Sequence, residues 1–398
     1  MKYLAAEKVN TGRQPEFDLL KGIGILMMIL DHTFRGCAPE SQGILWSIIA
    51  WYPTLFGLGV FIICAGIGMR YSRRQAPRDI ATRGVVLLTI AQLVNLLRSG
   101  LPALAAFQIT GKQIFVPFIL NVFNSDVLTF FGLGFLLMAL LKALKLRDGT
   151  ILAIALGMNL LTTMLAGVIP TPEAYWARRL QSFFIVTDDA LFPLGIHFVI
   201  LAFGYVVGGV YPHIADKDAM ANRVLMICVP ISALYLALRL NVPFPMMPEY
   251  NVEVEPTMGL DSLLLCVNAL ILLSLAHKLC RLIGGRVPAI LNHMSRHLNS
   301  YYCVGEVLIG CAMMTLLAVR GEGLRGEWAP FLLSLMVIAI SYFCIEFNEK
   351  HLHFTIAGLQ GNRRRIIYTA IWVASLLVAL YGLSKVRDAG EIFSRLAL

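Results

Sequence analysis

Charged residues are scarce in this 398-residue chain. Asp, Glu, Lys and Arg make up only 14% of it, whereas soluble domains contain about 25%. Hydrophobic residues make up 58% of the sequence, and the mean hydropathy is +0.73. A soluble core cannot absorb this excess, because a globular protein still needs a polar surface. The composition therefore excludes an ordinary soluble enzyme and indicates a protein embedded in lipid.

Paired cysteines and a cleavable signal are lacking as well. None of the eight cysteines forms a CxxC motif, and most lie in apolar stretches, where cysteine behaves as a small hydrophobic residue. We therefore expect no disulfide framework and no metal site. The polar start of the chain lacks the apolar core of a signal peptide, so we expect the first hydrophobic span to direct insertion and to remain in the protein.

Hydrophobic stretches recur evenly along the chain. A spanning helix needs about 20 mostly apolar residues, and lipid satisfies no backbone hydrogen bonds. The sequence thus predicts an all-α, polytopic integral membrane helix bundle of about eleven spans, with ten as the alternative count, in one domain over residues 1–398. The spans are expected at residues 18–36, 53–70, 80–98, 125–145, 150–169, 191–211, 222–240, 258–278, 299–319, 328–347 and 366–385.

Two further apolar stretches are too irregular to count as spans. Residues 44–52 are rich in aromatic residues and fit an interfacial segment. Residues 101–120 are broken by Pro, Gly and Lys and fit a re-entrant or surface helix. This second stretch carries the main uncertainty in the number of spans.

The net charge of +9 is explained by membrane orientation. Twenty Lys and Arg residues lie at the ends predicted to be cytoplasmic and eleven at the opposite ends, as the positive-inside rule requires. We therefore expect a cytoplasmic N-terminal tail (residues 1–17) and an external C-terminal tail (residues 386–398), in a bacterial inner (plasma) membrane. Membrane lipid is the expected partner, nucleic acid is not, and a homodimer is left open.

The first span, FDLLKGIGILMMILDHTFRG, carries ionisable residues, which mark functional sites in membranes. Lys21 and His32 are eleven residues apart, so they share one helix face about 16 Å apart along the axis. One interpretation is that Lys21 reaches the inner surface and His32 lies at the outer interface. The other is a catalytic histidine, because imidazole can act as a general base or carry an acyl group.

Other polar residues in or near the spans are candidates for the same site. Asp126 and His197 are predicted at the depth of His32, where a carboxylate could orient the imidazole. Asp31 is the nearest carboxylate in sequence but projects about 100° away on the helix. The candidates for contact with a polar substrate are His197, Asp188, Asp189 and Glu306. For each of these residues an ordinary interhelical hydrogen bond is the alternative.

The Lys-x10-His pattern, with Asp18 one turn before Lys21, resembles the membrane acyltransferases of the acyltransferase 3 family. These belong to a transmembrane acyltransferase superfamily with the heparan-α-glucosaminide N-acetyltransferases. GVFIICAGIGMRYSRR, in which the second span ends, and NSDVLTFFGLGFLL at 124–137 are similar to superfamily segments, and HLNSYYCVGEV at 297–307 resembles the heparan-type branch. The sequence departs from the acyltransferase 3 pattern in two places, since no His follows Tyr302 and Arg78 and Arg83 are five residues apart.

The resemblance implies transfer of an acyl group, with acetyl favoured, from cytoplasmic acyl-CoA to a hydroxyl or amine of a glycan or lipid-linked sugar outside. It matches His32 to the catalytic histidine and Lys21 to its basic partner, with Asp31 and Asp126 as candidate catalytic carboxylates. The phosphates of CoA require a cationic cytoplasmic site, and guanidinium groups bind phosphate in a bidentate manner. The residues expected to bind CoA are Arg73, Arg74, Arg78 and Arg83.

Two other functions remain open from the sequence. A secondary transporter of a small anion or sugar-type substrate is the alternative from another class, although no pair of related half-sequences is found. A scaffold or assembly subunit without chemistry is the third hypothesis, but it leaves the clustered basic loop and His32 unexplained.

Overall fold

A computed structural model describes residues 3–41, 43–52, 58–165, 168–185, 192–241 and 259–386. These residues are predominantly helical, and their only β-type pairing is an isolated bridge between Leu4 and Ile214. The α-helices are α1 (Pro15–Cys37), α2 (Ile44–Tyr52), α3 (Leu58–Tyr71), α4 (Pro77–Asn95), α5 (Leu101–Thr110), α6 (Val116–Leu120), α7 (Val127–Ala143), α8 (Asp148–Leu165), α9 (Tyr175–Phe184), α10 (Leu194–Val210), α11 (Lys217–Asn241), α12 (Gly259–Leu282), α13 (Ala289–Arg296), α14 (Leu298–Val319), α15 (Trp328–Phe347) and α16 (Gly361–Ser384).

The predicted all-α membrane bundle is confirmed. Nine helical segments of the described residues are long and apolar enough to cross a membrane. The first two predicted spans correspond to α1 and to α3, which is shorter. Helix α2 coincides with the segment predicted to be interfacial. The number of crossings and the orientation of the bundle stay predictions.

Helix α1 carries charged residues of opposite sign at its two ends. Pro15 occupies the first turn together with the acidic residues Glu16 and Asp18, while Arg35 lies in the last turn. This arrangement complements the helix dipole, since acidic groups are favoured at the N-terminus and cations at the C-terminus. Helix α1 therefore carries several buried charges, among them Glu16, Asp18 and Asp31, into the bundle.

Helix α10 is the most enclosed of the apolar spans, with 72% of its most hydrophobic window buried. It crosses α3 at two glycines. A Cβ added to Gly66 would lie 2.3 Å from the Leu201 carbonyl oxygen, and one added to Gly204 would lie 2.5 Å from that of Ile63. Small residues permit such backbone contact, which is how helices associate in lipid without a hydrophobic driving force.

The chain from α4 to α5 is one continuous helical segment of 34 residues, from Pro77 to Thr110, interrupted by a π-helical turn at Leu96–Gly100. Pro102 explains the interruption, because proline cannot donate a hydrogen bond to the carbonyl of Arg98, four residues earlier. The segment at residues 101–120, predicted to be re-entrant or a surface helix, is thus the end of this helix followed by a short returning arm (residues 111–120). The arm is tied back by Ser99 Oγ, which donates to Phe118 O at 2.6 Å.

Candidate functional site

The imidazole of His32 contacts a carboxylate from the far end of the sequence. Its Nδ1 atom forms a short hydrogen bond with Glu306 Oε1, 274 residues away. Helices α1 and α14 run side by side in the same direction here. Cys37, which follows His32 on α1, contacts the carbonyl oxygen of Ile309, which follows Glu306 on α14. Glu306 is 5% exposed, whereas the His32 side chain is 31% exposed. The carboxylate is therefore a buried support for an imidazole that is accessible to a reactant.

Glu306 is held in place by a cation on its other oxygen. Arg98 donates from a guanidinium nitrogen to Glu306 Oε2 at 2.5 Å. The arginine belongs to the π-helical turn, and its side chain is only 18% exposed. Its positive charge balances the buried carboxylate, which would otherwise be costly to desolvate. His32, Glu306 and Arg98 thus form a continuous polar chain between α1, α14 and the π-helical turn.

Asp126 lies within electrostatic range of this chain. It caps α7, and its Oδ1 accepts hydrogen bonds of 2.8 Å from the Thr129 amide and hydroxyl groups. Its Oδ2 is buried without a hydrogen-bond partner among the described residues. Asp126 and the buried Tyr302 both interact with the charges of Arg98 and Glu306. A second buried carboxylate therefore interacts with the same charges as this polar chain.

The other two α1 candidates are directed to different partners. Asp31 is 1% exposed and pairs with Arg35, whose Nε lies 2.9 Å from Asp31 Oδ1. Lys21 lies near the start of α1 and pairs with Asp18 at 3.5 Å. The structure therefore places Glu306 on the His32 imidazole, while Asp31 pairs with Arg35 and Lys21 with Asp18.

The basic segment after α3 (residues 73–83) lies at a different end of the bundle from Arg98. Arg73, Arg74 and Arg78 are exposed, whereas the half-buried Arg83 donates to Ser72 Oγ at 2.6 Å. Beside this segment opens a polar cleft of about 410 Å³. Its lining residues come from the N-terminal segment and the ends of α3 and α10, and they include Lys8, Arg70, Gln75, Gly208 and His213.

The predicted substrate-contacting residues are only partly brought together. His197 is fully buried in α10, where its Nδ1 lies 3.2 Å from Pro193 O and its ring lies beside Phe130 and Phe192. Asp188 and Asp189 fall outside the described residues. Of the four residues in this group, Glu306 alone is shown at His32.

A comparison with known protein families gives one match. The family described as heparan-α-glucosaminide N-acetyltransferase, catalytic, matches residues 13–232, which is more than half of the chain. The chain belongs to this family. It is an integral membrane protein with an acetyltransferase domain, and of the branches named by the sequence resemblance the heparan-type branch is the one found. No individual curated protein matches the chain.

The matched range of this heparan-α-glucosaminide N-acetyltransferase family member contains His32, Arg98 and Asp126, whereas Glu306 lies beyond it. Arg98 is not among the site residues predicted from the sequence, where it is only one of the eleven positive charges at the external span ends. Its signal was present, since an arginine within the apolar run LLRSG needs a buried counter-charge. Glu306 had been noted, but no sequence feature linked it to His32.

Proposed function

We propose that this protein transfers an acetyl group from cytoplasmic acetyl-CoA to a hydroxyl or amine of a glycan or lipid-linked sugar on the other side of the membrane. The observation that carries the proposal is the contact of the His32 imidazole with the buried carboxylate of Glu306, which Arg98 holds. The transporter hypothesis has no comparable support, because the chain belongs to an acetyltransferase family.

His32 is the proposed catalytic base. Glu306 accepts the Nδ1 hydrogen, so the other ring nitrogen, Nε2, presents its lone pair for a proton. The acceptor hydroxyl or amine gives its proton to Nε2 as its oxygen or nitrogen forms a bond to the thioester carbon. The carbon–sulfur bond then breaks, and the CoA thiolate takes the proton from the imidazolium. Alternatively, the imidazole first accepts the acetyl group itself and then passes it to the acceptor.

The donor is proposed to bind by its phosphates at the basic segment. Arg73, Arg74, Arg78 and Arg83 supply guanidinium groups there, and the adjacent polar cleft adds Lys8. The uncharged pantetheine arm then extends between the helices and brings the thioester toward His32. It must cover roughly half of a hydrocarbon core that is about 30 Å thick.

The proposal is tested by acetyl transfer in reconstituted vesicles with labelled acetyl-CoA, combined with CoA binding to the purified protein. Arg83→Ala should weaken CoA binding roughly 10- to 100-fold, the scale of one hydrogen bond to a charged group. The loss should shrink for dephospho-CoA if Arg83 contacts the 3′-phosphate. Arg363→Ala removes an exposed arginine from another basic segment and is the matched control.

Two results would contradict the proposal. One is equal CoA affinity of the Arg83→Ala and Arg363→Ala proteins, which would remove the donor site from this segment. The other is acetyl transfer that proceeds only when acetyl-CoA is supplied on the side opposite to the basic segment.

A further inference from the structure

Two histidines and two glutamates meet at the junction of α13, α14 and α15, away from the His32 site. His293 and His297 lie on consecutive turns, with ring centroids 4.7 Å apart. A second π-helical turn, Asn348–Leu352, follows α15 and brings Glu349 beside them. One ligand atom from each of these three residues lies within 4.8 Å of the others.

We propose that His293, His297 and Glu349 bind a divalent transition-metal ion of the Zn²⁺ class, with Glu346 as a further oxygen ligand. Imidazole nitrogen and carboxylate oxygen are the donors that Zn²⁺ takes besides thiolate. This site is independent of acetyl transfer, and it differs from our expectation of no metal site, which rested on the cysteine pattern alone.

The distances between the ligand atoms support the proposal. Zn–N and Zn–O bonds of about 2.0–2.2 Å at tetrahedral angles place two ligand atoms roughly 3.3 Å apart. His297 Nε2 lies 3.4 Å from Glu349 Oε1, and His293 Nε2 lies 3.2 Å from Glu346 Oε1. Each nitrogen–oxygen pair therefore has the separation of two ligands on one ion, and His293, His297 and Glu349 each offer an atom within 4.8 Å of the other two.

The surroundings of His293 fit a ligand as well. Its Nδ1 lies 2.9 Å from the Tyr301 hydroxyl, and metal-binding histidines usually engage their second ring nitrogen in this way. Its Nε2 is buried and makes no hydrogen bond within the described residues, although Glu346 lies at ion-pair distance. Nε2 is thus the ring nitrogen of His293 that can take a metal ion.

The two carboxylate oxygens that face the histidines, Glu346 Oε1 and Glu349 Oε1, are not taken up by the neighbouring lysine. Lys350 Nζ lies 2.7 Å from Glu346 Oε2, which is the oxygen that does not face His293. Glu349 is half exposed, so an ion can reach the site from solvent. A bound ion would join the start of α14 to the end of α15. Along α14 this point is nine residues, about 13 Å, from Glu306.

The test is equilibrium dialysis of the chelator-stripped, purified full chain against Zn²⁺, with metal content measured by mass spectrometry. The wild-type protein should bind one Zn²⁺ per chain, and the His293→Gln/His297→Gln protein should bind none. Tyr301→Phe keeps all ligands and removes only the orienting hydroxyl, so it should weaken binding about 10- to 100-fold.

His277→Gln is the matched control, since His277 pairs with Asp218 at 3.2 Å in another part of the bundle. It should bind Zn²⁺ as the wild type does. The proposal is overturned if the wild-type protein shows no saturable Zn²⁺ binding. It is equally overturned if the double histidine variant and Tyr301→Phe both bind Zn²⁺ with wild-type stoichiometry and affinity, which would leave the cluster as ion pairs only.

Discussion

Gly310 lies against the backbone of Arg98, so closely that a Cβ added to the glycine would be 2.1 Å from the Arg98 carbonyl oxygen. Pro102 cannot donate to that carbonyl, and the helix opens into its π-helical turn at the same point. Gly310 is one helical turn beyond Glu306 on α14. The close approach of the two backbones therefore sets the position of the Arg98 guanidinium on the Glu306 carboxylate.

Gly310→Ala should separate these two backbones. The added methyl group would meet a backbone carbonyl oxygen, which cannot move aside as the end of a flexible side chain can. Overpacking of this kind typically costs about 1–3 kcal/mol. We expect a lower thermal unfolding midpoint and a strong loss of acetyl transfer. Gly157→Ala is the control, because a Cβ on Gly157 in α8 meets nothing within 4 Å. Equal behaviour of the two variants would show that α14 can move away from the turn without consequence.

Arg98→Leu should destabilise the fold more than the loss of an exposed charge would. Loss of the arginine leaves Glu306 buried without its cation, and breaking a buried pair in this way costs about 3–5 kcal/mol. The combination Arg98→Leu with Glu306→Gln removes both charges and should recover much of that stability. Equilibrium unfolding in mixed detergent micelles measures the difference. A double variant less stable than Arg98→Leu would contradict the pairing.

His32→Ala should reduce acetyl transfer at least 100-fold, because general acid–base catalysis contributes typically 10²–10⁴-fold. CoA affinity should stay nearly unchanged, since the imidazole acts on the acceptor proton or the thioester and not on the phosphates. Glu306→Gln should also lower the rate, because an amide cannot stabilise the imidazolium. Steady-state transfer and CoA binding are measured on the same preparations. Near-normal transfer by His32→Ala would leave the residue as an interfacial histidine.

The orientation of the bundle can be checked with reporter fusions. A reporter after residue 75, in the basic segment, should read cytoplasmic, and one at residue 250, in the acidic segment 249–261, should read external. Both predictions follow from the excess of Lys and Arg on one side. If the two reporters lie on the same side, the order of the spans between them is wrong.

The sequence predicts the spans well because each depends only on a local run of apolar residues. It predicts His32 because an imidazole within such a run is unusual. The partner of His32 could not be predicted in this way, since Glu306 is 274 residues away and only tertiary packing joins them. The continuation of α4 into α5 could not be predicted from the sequence for a different reason. Pro102 ordinarily ends a helix, and here the π-helical turn absorbs its missing hydrogen bond.

The π-helical turn has one more consequence, which concerns the register of the helix beyond it. A turn with one residue more than an α-helical turn rotates everything after it by about 100°. Ala103 and Ala106 are buried in that rotated register, in the cluster that contains Phe115 from the returning arm. Deletion of a single residue between 96 and 100 would restore the uninterrupted phase and turn these alanines away from the arm. The position of the Arg98 guanidinium and the packing of the returning arm thus depend on the same inserted residue.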